Sequence, residues 1–273
     1  MNNNSEEVEF TIFDTETTGL RPQAGDRIIE IAAIRIRGNI RKAVFHSLVN
    51  PQRRNSEAAF LVNKITDEML LYAPLAGEVL PKFLDFIRGS HICSYNAVFD
   101  LDFLNKELML LGRKLPEKVV ALDILTMARR LLPSLERYSL LFVAGKLGIE
   151  SQQEHRALSD VELALKVFNR LKDMMRPKGI TDLNSFINLF SVNPEILNEL
   201  ENQKIAQIQQ ALDLGFKLRI KYLARRDAAV SQREVIPEQV LKEKNRNYLI
   251  GHCCLRNERR SFRLDGILHL EII

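Results

Sequence analysis

No apolar run in the 273 residues approaches the roughly 18 needed to cross a bilayer as a helix. Met1 to Phe10 is Asn-rich and then acidic, the opposite of a basic segment followed by an apolar one, so no secretory signal is expected and a cytoplasmic location follows. Cysteine is scarce: Cys93, Cys253 and Cys254 lack metal-site spacing, and a bridge between the adjacent pair would be strained. Reduced thiols without chemistry are expected. With 12 Gly, 9 Pro and no short repeat, collagen-like, fibrous and disordered chains are excluded, whereas 46% apolar and 27% charged residues suit a soluble globular protein. The length predicts roughly two domains. Net charge is +4 but uneven, with +5 from Ile205 onward and −1 before it, so the basic character lies in the tail. That asymmetry fits a small module facing a polyanion, or a solvated charged surface.

Val8 to Asp14 reads as a strand, and Ile28 to Arg37 and Ile40 to Val49 as two more joined by the hairpin signal Gly38-Asn39. Helical periodicity follows at Val79 to Ile87 and Phe99 to Leu111, with strand-like runs at His91 to Tyr95 and Val119 to Leu122. Further helices are predicted at Ile124 to Leu131, Ser139 to Leu147 and Leu158 to Met175. A hairpin series giving way to strand-helix alternation predicts an α/β domain with a mixed sheet covered by helices. Arg176-Pro177-Lys178-Gly179 breaks the pattern, giving expected units of 1–176, a helical linker over 177–204 and a tail over 205–273. The polar, mostly helical stretch to Leu214 carries an apolar stripe at Ile205, Ile208 and Leu212. Short β runs at Lys217 to Leu223, Glu234 to Leu241, Tyr248 to Cys254, Ser261 to Arg263 and Ile267 to Ile272 predict a small barrel.

Three acidic clusters carry the chemistry. Alternation places Asp14 and Glu16 on one face of the first strand, about 7 Å apart along it, where like charges repel unless a cation intervenes. Asp100 opens an otherwise apolar helix with Phe99, Phe103 and Leu104, and burying it unpaired would cost several kcal/mol. Asp160 shares a helical stripe with Ala164, Val167 and Leu171, and His155 lies just before that helix. Each cluster alone has a bland reading: an acidic strand end, a charge at a helix N-terminus, a surface histidine. Four inward-facing acids in three segments bracketing one sheet, with one histidine, fit a two-metal hydrolytic site.

In order, these clusters resemble the Asp-x-Glu, Asn-Ala-x-Phe-Asp and His-x-Ala-x-x-Asp motifs of the DEDDh 3′–5′ exonucleases. The resemblance runs from 8 to 175, includes Leu131-Leu132-Pro133, Tyr138-Ser139-Leu140 and Leu147-Gly148-Ile149, and is strongest toward the proofreading epsilon subunits of bacterial DNA polymerase III. It implies an RNase H-like fold and two divalent ions, Mg²⁺ or Mn²⁺, held by Asp14, Glu16, Asp100 and Asp160. His155 would be the general base, and Thr17, Gly19, Leu20, Asn96 and Phe103 would contact the 3′-terminal nucleotide. Tyr95 and Asn63-Lys64 depart from the family's usual His and His-Gly. The tail resembles a WYL domain, a small Sm/SH3-like barrel, through Tyr222, Ser231-Gln232-Arg233, Asn247-Tyr248-Leu249 and Ser261 to Ile267, although Asn247 and Gly266 stand where that family has Trp and Arg. Ser231, Arg233, Tyr248 and Arg263 would form its nucleic-acid or ligand face. The implied protein is a nuclease of DNA, or alternatively RNA, working beside replication or repair proteins and no membrane. A ligand-responsive regulator is the competing class, weakened because residues 177–204 show no helix-turn-helix.

Overall fold

A computed structural model describes residues 7–117, 119–150 and 155–273. Most of the N-terminal stretch used for the signal reading therefore lies outside the described residues. No helix among the described residues is long and apolar enough to cross a membrane.

The first sheet has the order β3-β2-β1-β4-β5, from β1 (Glu9–Thr17), β2 (Ile28–Arg37), β3 (Ile40–Leu48), β4 (His91–Ser94) and β5 (Ala121–Asp123). The β1–β2 and β2–β3 pairs are antiparallel, whereas β4 and β5 run parallel to β1, giving the mixed sheet expected. Because β1 is central, it is apolar on both sides, and alternation divides its residues between two cores. Phe10 and Ile12 join Ala32, Ile34, Val161 and Phe168 on one face, while Phe13 joins Ile31, Ala33, Phe83 and Leu104 on the other. The helices α1 (Glu57–Asn63), α2 (Asp67–Leu71), α3 (Ala76–Phe86), α4 (Ala97–Leu110), α5 (Ile124–Leu131), α6 (Leu140–Lys146) and α7 (Ala157–Met175) complete this region. Helices α5, α6 and α7 supply the first core, and α3 and α4 the second. The short α1 and α2 have no apolar periodicity long enough to reveal them. Their hydroxyl caps, Ser56 and Thr66, were the available signal.

The stretch after Gly179 is not one helix. α8 (Leu183–Phe190) and α9 (Pro194–Leu214) are separated by an extended segment in which Ser191 bridges Leu122, the Val192 N–H donates to the Ala121 carbonyl, and Asn193 Oδ1 accepts the Ala121 N–H at 2.7 Å. The free edge of β5 needs partners, and this segment supplies them before Pro194 restarts the helix. Phe186, Leu189 and Phe190 of α8 belong to the first core. Ile208 and Ala211 of α9, flanked by Ile205 and Leu212, belong to a third core with Leu218, Ile220, Val235, Leu249 and Phe262.

That third core lies on a second, antiparallel sheet of order β10-β6-β7-β8-β9, formed by β6 (Leu218–Leu223), β7 (Val230–Glu243), β8 (Arg246–Cys253), β9 (Glu258–Arg263) and β10 (Ile267–Ile272). β7 is longer than its alternation suggested because it bulges between Pro237 and Gln239. Tyr222 on β6 and Phe262 on β9 meet at 5.4 Å between ring centroids. The sheet rolls up, yet β9 and β10 are not paired with each other, so the hydrogen-bonded ladder is open where a closed barrel was expected.

The two sheets are joined through polar contacts. Asp265 pairs with Arg130 of α5 at 3.0 Å and with Arg263, and Lys204 Nζ donates to Asn188 Oδ1 at 2.6 Å and to the Leu264 carbonyl at 2.9 Å. Burial pushes the Lys204 ammonium down to about 8. Replacing Asp265 by Ala leaves two largely enclosed guanidiniums without their shared acceptor. It is expected to lower stability by about 1 to 3 kcal/mol in urea denaturation. An unchanged midpoint would mean that this pair does not hold the junction.

Candidate active site

β1 continues to Thr17, with its register on β2 shifting only after Glu16, so Asp14 and Glu16 stay in extended backbone and share the face of Ile12. Asp160, buried in the first turn of α7, meets them: one carboxylate oxygen from each of the three residues lies within 4.8 Å of the others. Burial first, then the charges of Asp100, Glu16, Asp160 and Glu30, hold Asp14 well above the usual carboxylate range. Burial and the same neighbourhood push Glu16 up to about 8, with Arg156 opposing. Acids arranged this way are hard oxygen donors with excess negative charge, the donor set that suits Mg²⁺ or Mn²⁺.

Asp100 arrives from α4. Its Oδ1 accepts the Thr15 N–H at 3.0 Å and the Thr15 hydroxyl at 2.7 Å, and its Oδ2 accepts the Ser94 hydroxyl. Burial raises its pKa to about 6 despite these donors. Thr15 points to the opposite face from Asp14 and Glu16, so one strand residue ties α4 to the acidic edge. Asn96, before α4, has a left-handed backbone at φ +73°, and its N–H and that of Ala97 donate to Asp123 Oδ1, each at 3.1 Å. Tyr95, the departure from His, donates its hydroxyl to the Tyr138 carbonyl at 2.7 Å.

His155 is exposed and left-handed at φ +51° immediately before α7. The residue that fixes this entry is Glu30, which the sequence reading passed over. Glu30 is fully buried opposite Glu16 in register, and it accepts from Arg156 Nη2 at 2.7 Å, Arg156 Nε at 3.1 Å, the Ala157 N–H at 3.0 Å and His46 Nε2 at 2.7 Å. Burial works to raise its pKa, but hydrogen bonds from Arg156, His46 and Ala157 prevail and lower it. The available signal was a lone acid in Ile28-Ile29-Glu30-Ile31-Ala32, a run otherwise apolar on both faces.

The loop after β1 is close-packed. Thr17 is buried and donates its hydroxyl to the Gly19 carbonyl at 2.6 Å. A Cβ on Gly19 would collide with the Asp26 carboxylate, which receives the Arg21 N–H at 3.0 Å. Leu20 is 79% exposed, whereas Phe103 is only 1% exposed and packs at 5.0 Å between centroids on half-buried Phe99. Phe103 is thus a wall of the second core, and Phe99 is the ring nearer solvent. Asn63 Nδ2 reaches the Thr17 carbonyl at 3.4 Å, and Lys64 caps α1 in left-handed backbone at φ +56°, the conformation that glycine adopts freely.

In the second sheet the four expected face residues fall into two pairs. Ser231 and Arg233 are hydrogen-bonded at 3.0 Å, and Arg233 is in register with core residue Ile220, which places both on the core side. Tyr248 and Arg263 are cross-strand partners, each next to a core residue, Leu249 or Phe262, and therefore point to the other side.

Residues 11–168 match the family model described as Exonuclease, more than half of the chain, and the protein belongs to that family of nuclease hydrolases. Residues 203–272 match the WYL domain model. The chain is 33% identical over 271 residues to a DNA polymerase III PolC-type of Thermotoga petrophila, covering 98% of this chain and 19% of that protein. It is 36% identical over 186 residues to a DNA polymerase III subunit epsilon-like protein of Rhodobacter capsulatus, covering 67% of this chain and 26% of that protein. The chain therefore spans about a fifth to a quarter of these curated relatives. Among solved structures, the nuclease domain of 3′hExo, a DEDDh family member bound to rAMP, matches with TM-score 0.55 at 20% identity over 64% of this chain and 95% of that one. The E. coli ExoI–ssDNA complex matches with TM-score 0.57 at 16% identity over 89% of this chain and 54% of that one. These likenesses are of fold.

Two predictions arise from the electrostatics. Glu16 keeps a proton in the folded, metal-free chain between its ordinary 4.5 and about 8, where the unfolded chain has lost it, so stability falls as pH rises through that window. In EDTA, Tm is expected to drop from pH 5 to pH 8, and Glu16→Gln to raise Tm at pH 8; a pH-independent Tm would refute the carboxylate crowding. Glu30→Gln loses the charged acceptor for Arg156 and for the first N–H of α7. It is expected to destabilise the protein by about 1 to 3 kcal/mol in EDTA and in Mn²⁺ alike, unlike Glu16→Gln.

Proposed function

We propose that the protein is a metal-dependent 3′–5′ exonuclease that releases nucleoside monophosphates from single-stranded DNA. The observation that carries this reading is the convergence of Asp14, Glu16 and Asp160, drawn from two distant segments, at an edge that Asp100 also charges. Asp14, Glu16, Asp100 and Asp160 would hold two divalent cations, Mg²⁺ or Mn²⁺, whose contribution is Lewis-acid stabilisation of charge on the phosphodiester. A ring nitrogen of His155 takes the proton of the attacking water, from an exposed position that Glu30 anchors through Arg156. Thr17, Gly19 and Leu20 border the terminal nucleotide with Asn96, and Phe103 supports that wall from within the core.

The tail is proposed to be a separate Sm/SH3-like unit over 205–273 that grips nucleic acid, behind a nuclease unit over 1–176 and helical segments over 177–204. Tyr248 and Arg263 offer a ring and a guanidinium on one side, and Ser231 and Arg233 a second polar pair at the other. DNA is favoured over RNA by the relatives named as polymerase III components, and the same names suggest replication or repair partners. A regulator that binds without turnover is disfavoured by the intact acidic constellation.

Digestion of 3′-labelled and 5′-labelled DNA and RNA, with Mn²⁺ or with EDTA, tests the reading. Mononucleotide release from the 3′ end of DNA in Mn²⁺ alone is expected, and Asp14→Asn, Glu16→Gln, Asp100→Asn and Asp160→Asn are each expected to lower the rate by about a hundredfold or more while remaining folded. His155→Ala should lower kcat more than it alters KM. Binding without turnover, or a variant with wild-type cleavage, would overturn the assignment concerned.

A further inference from the structure

Between α5 and the second sheet lies a cavity of about 460 Å³ whose walls carry Arg129, Arg130, Arg225, Arg246 and Arg263 together with Tyr138. No Asp or Glu is among its described lining residues. Asp265 lies behind the wall and takes up Arg130 and Arg263 together. Even so, Arg263 Nη1 is buried without a hydrogen-bond partner. Among the described residues, Arg129, Arg225 and Arg246 have no ion pair, and all three are exposed. Arg129 stands 5.9 Å over the Tyr138 ring, whose hydroxyl is fixed by donation to the Leu132 carbonyl at 2.6 Å. Such a concentration of guanidinium groups around a shared space gives it a positive potential that favours an anion there. Guanidiniums pair phosphate oxygens in bidentate fashion, and an aromatic face beside them accepts a base.

The cavity is linked to the acidic edge by covalent and hydrogen-bonded neighbours. Tyr138 receives the hydroxyl of Tyr95, the residue before Asn96. Thr126, another lining residue, donates to Asp123, the carboxylate that holds Asn96 and Ala97 at the start of α4. The α5 side of the cavity, through Thr126 and Tyr138, is thus tied to the sheet edge where β4 and β5 end, the edge at which Asp100 is held.

We propose that this cavity binds the sugar-phosphate backbone of a single-stranded nucleic acid whose 3′ end lies at the acidic edge, so that both units of the chain hold one strand. The site takes in Arg263, the cross-strand partner of Tyr248, lies on the opposite side of the sheet from Ser231 and Arg233, and draws Arg129 and Arg130 from the nuclease unit. The proposal rests on the exonuclease reading, and its test is arranged so that the two fail separately.

The 273-residue chain in EDTA, where cleavage is not expected, is titrated with a 5′-fluorescein oligothymidylate at several salt concentrations. Arg225→Ala with Arg246→Ala removes two unpaired, exposed guanidiniums from the cavity. Arg259→Ala with Arg260→Ala removes the same charge from β9 outside it. The cavity variant is expected to bind about tenfold more weakly and to lose about 0.7 in salt slope per contact, while the β9 variant binds as wild type does. Arg129→Ala serves as an independent cavity variant if the double substitution lowers Tm. Unchanged affinity in the cavity variants, or equal losses in the cavity and β9 variants, would overturn the proposal. Wild-type digestion of 3′-labelled DNA in Mn²⁺ tests the underlying reading on its own.

Discussion

Mutual repulsion among buried and half-buried carboxylates is the constraint around which the nuclease unit is arranged. Asp14, Glu16 and Asp160 approach within 4.8 Å, and burial, the largest cause, acts with that repulsion to hold Asp14 and Glu16 above their ordinary range. An arrangement so costly to the free chain persists because packing around it fixes each backbone. β1 is clamped between β2 and β4 with a core on each face, Asp100 is held by Thr15 and Ser94, and α7 is bolted to β2 through Glu30 and Arg156. Where an acid is structural, as Glu30 is, the fold surrounds it with donors. Where the proposed chemistry lies, at Asp14 and Glu16, the fold surrounds the acids with other acids.

That contrast explains how much could be read without coordinates. The β-prone apolar run Ile28 to Arg37 and the Gly38-Asn39 turn placed β2 and β3 nearly to the residue, because burial and turn chemistry there act locally. Strand alternation grouped Asp14 with Glu16 and a helical stripe picked out Asp160, while Asp100 stood out for a different reason: an acid in an apolar context has few explanations. Glu30 satisfies the same criterion and escaped notice because its partners, His46 and Arg156, come from distant segments. The split between α8 and α9 was hidden too, since it answers the unpaired edge of β5, which no local pattern announces. The motif named Phe103, whose ring is buried in the second core, while its neighbour Phe99 lies nearer the surface, an ordering that no local pattern announces.

The junction with the second sheet follows another logic. Here cations crowd, relieved in part by Asp265 and by carbonyl acceptors for Lys204, and the +5 charge of the tail meets Arg129 and Arg130 of α5. The chain therefore presents a negative edge that calls for cations and a positive cavity that calls for anions, on elements joined through Tyr95, Tyr138 and Asp123. The proposed polyanionic strand, with a divalent cation at its end, satisfies both.

The most direct test of the acidic edge is calorimetric titration of the metal-free protein with Mn²⁺ at pH 7, repeated in buffers of different ionisation enthalpy. If Asp14 and Glu16 are held protonated by burial and repulsion, binding is accompanied by net proton release, and the apparent enthalpy changes with the buffer. Glu16→Gln should reduce the released proton count. Mn²⁺ binding with no proton release, or no binding at all, would contradict the account.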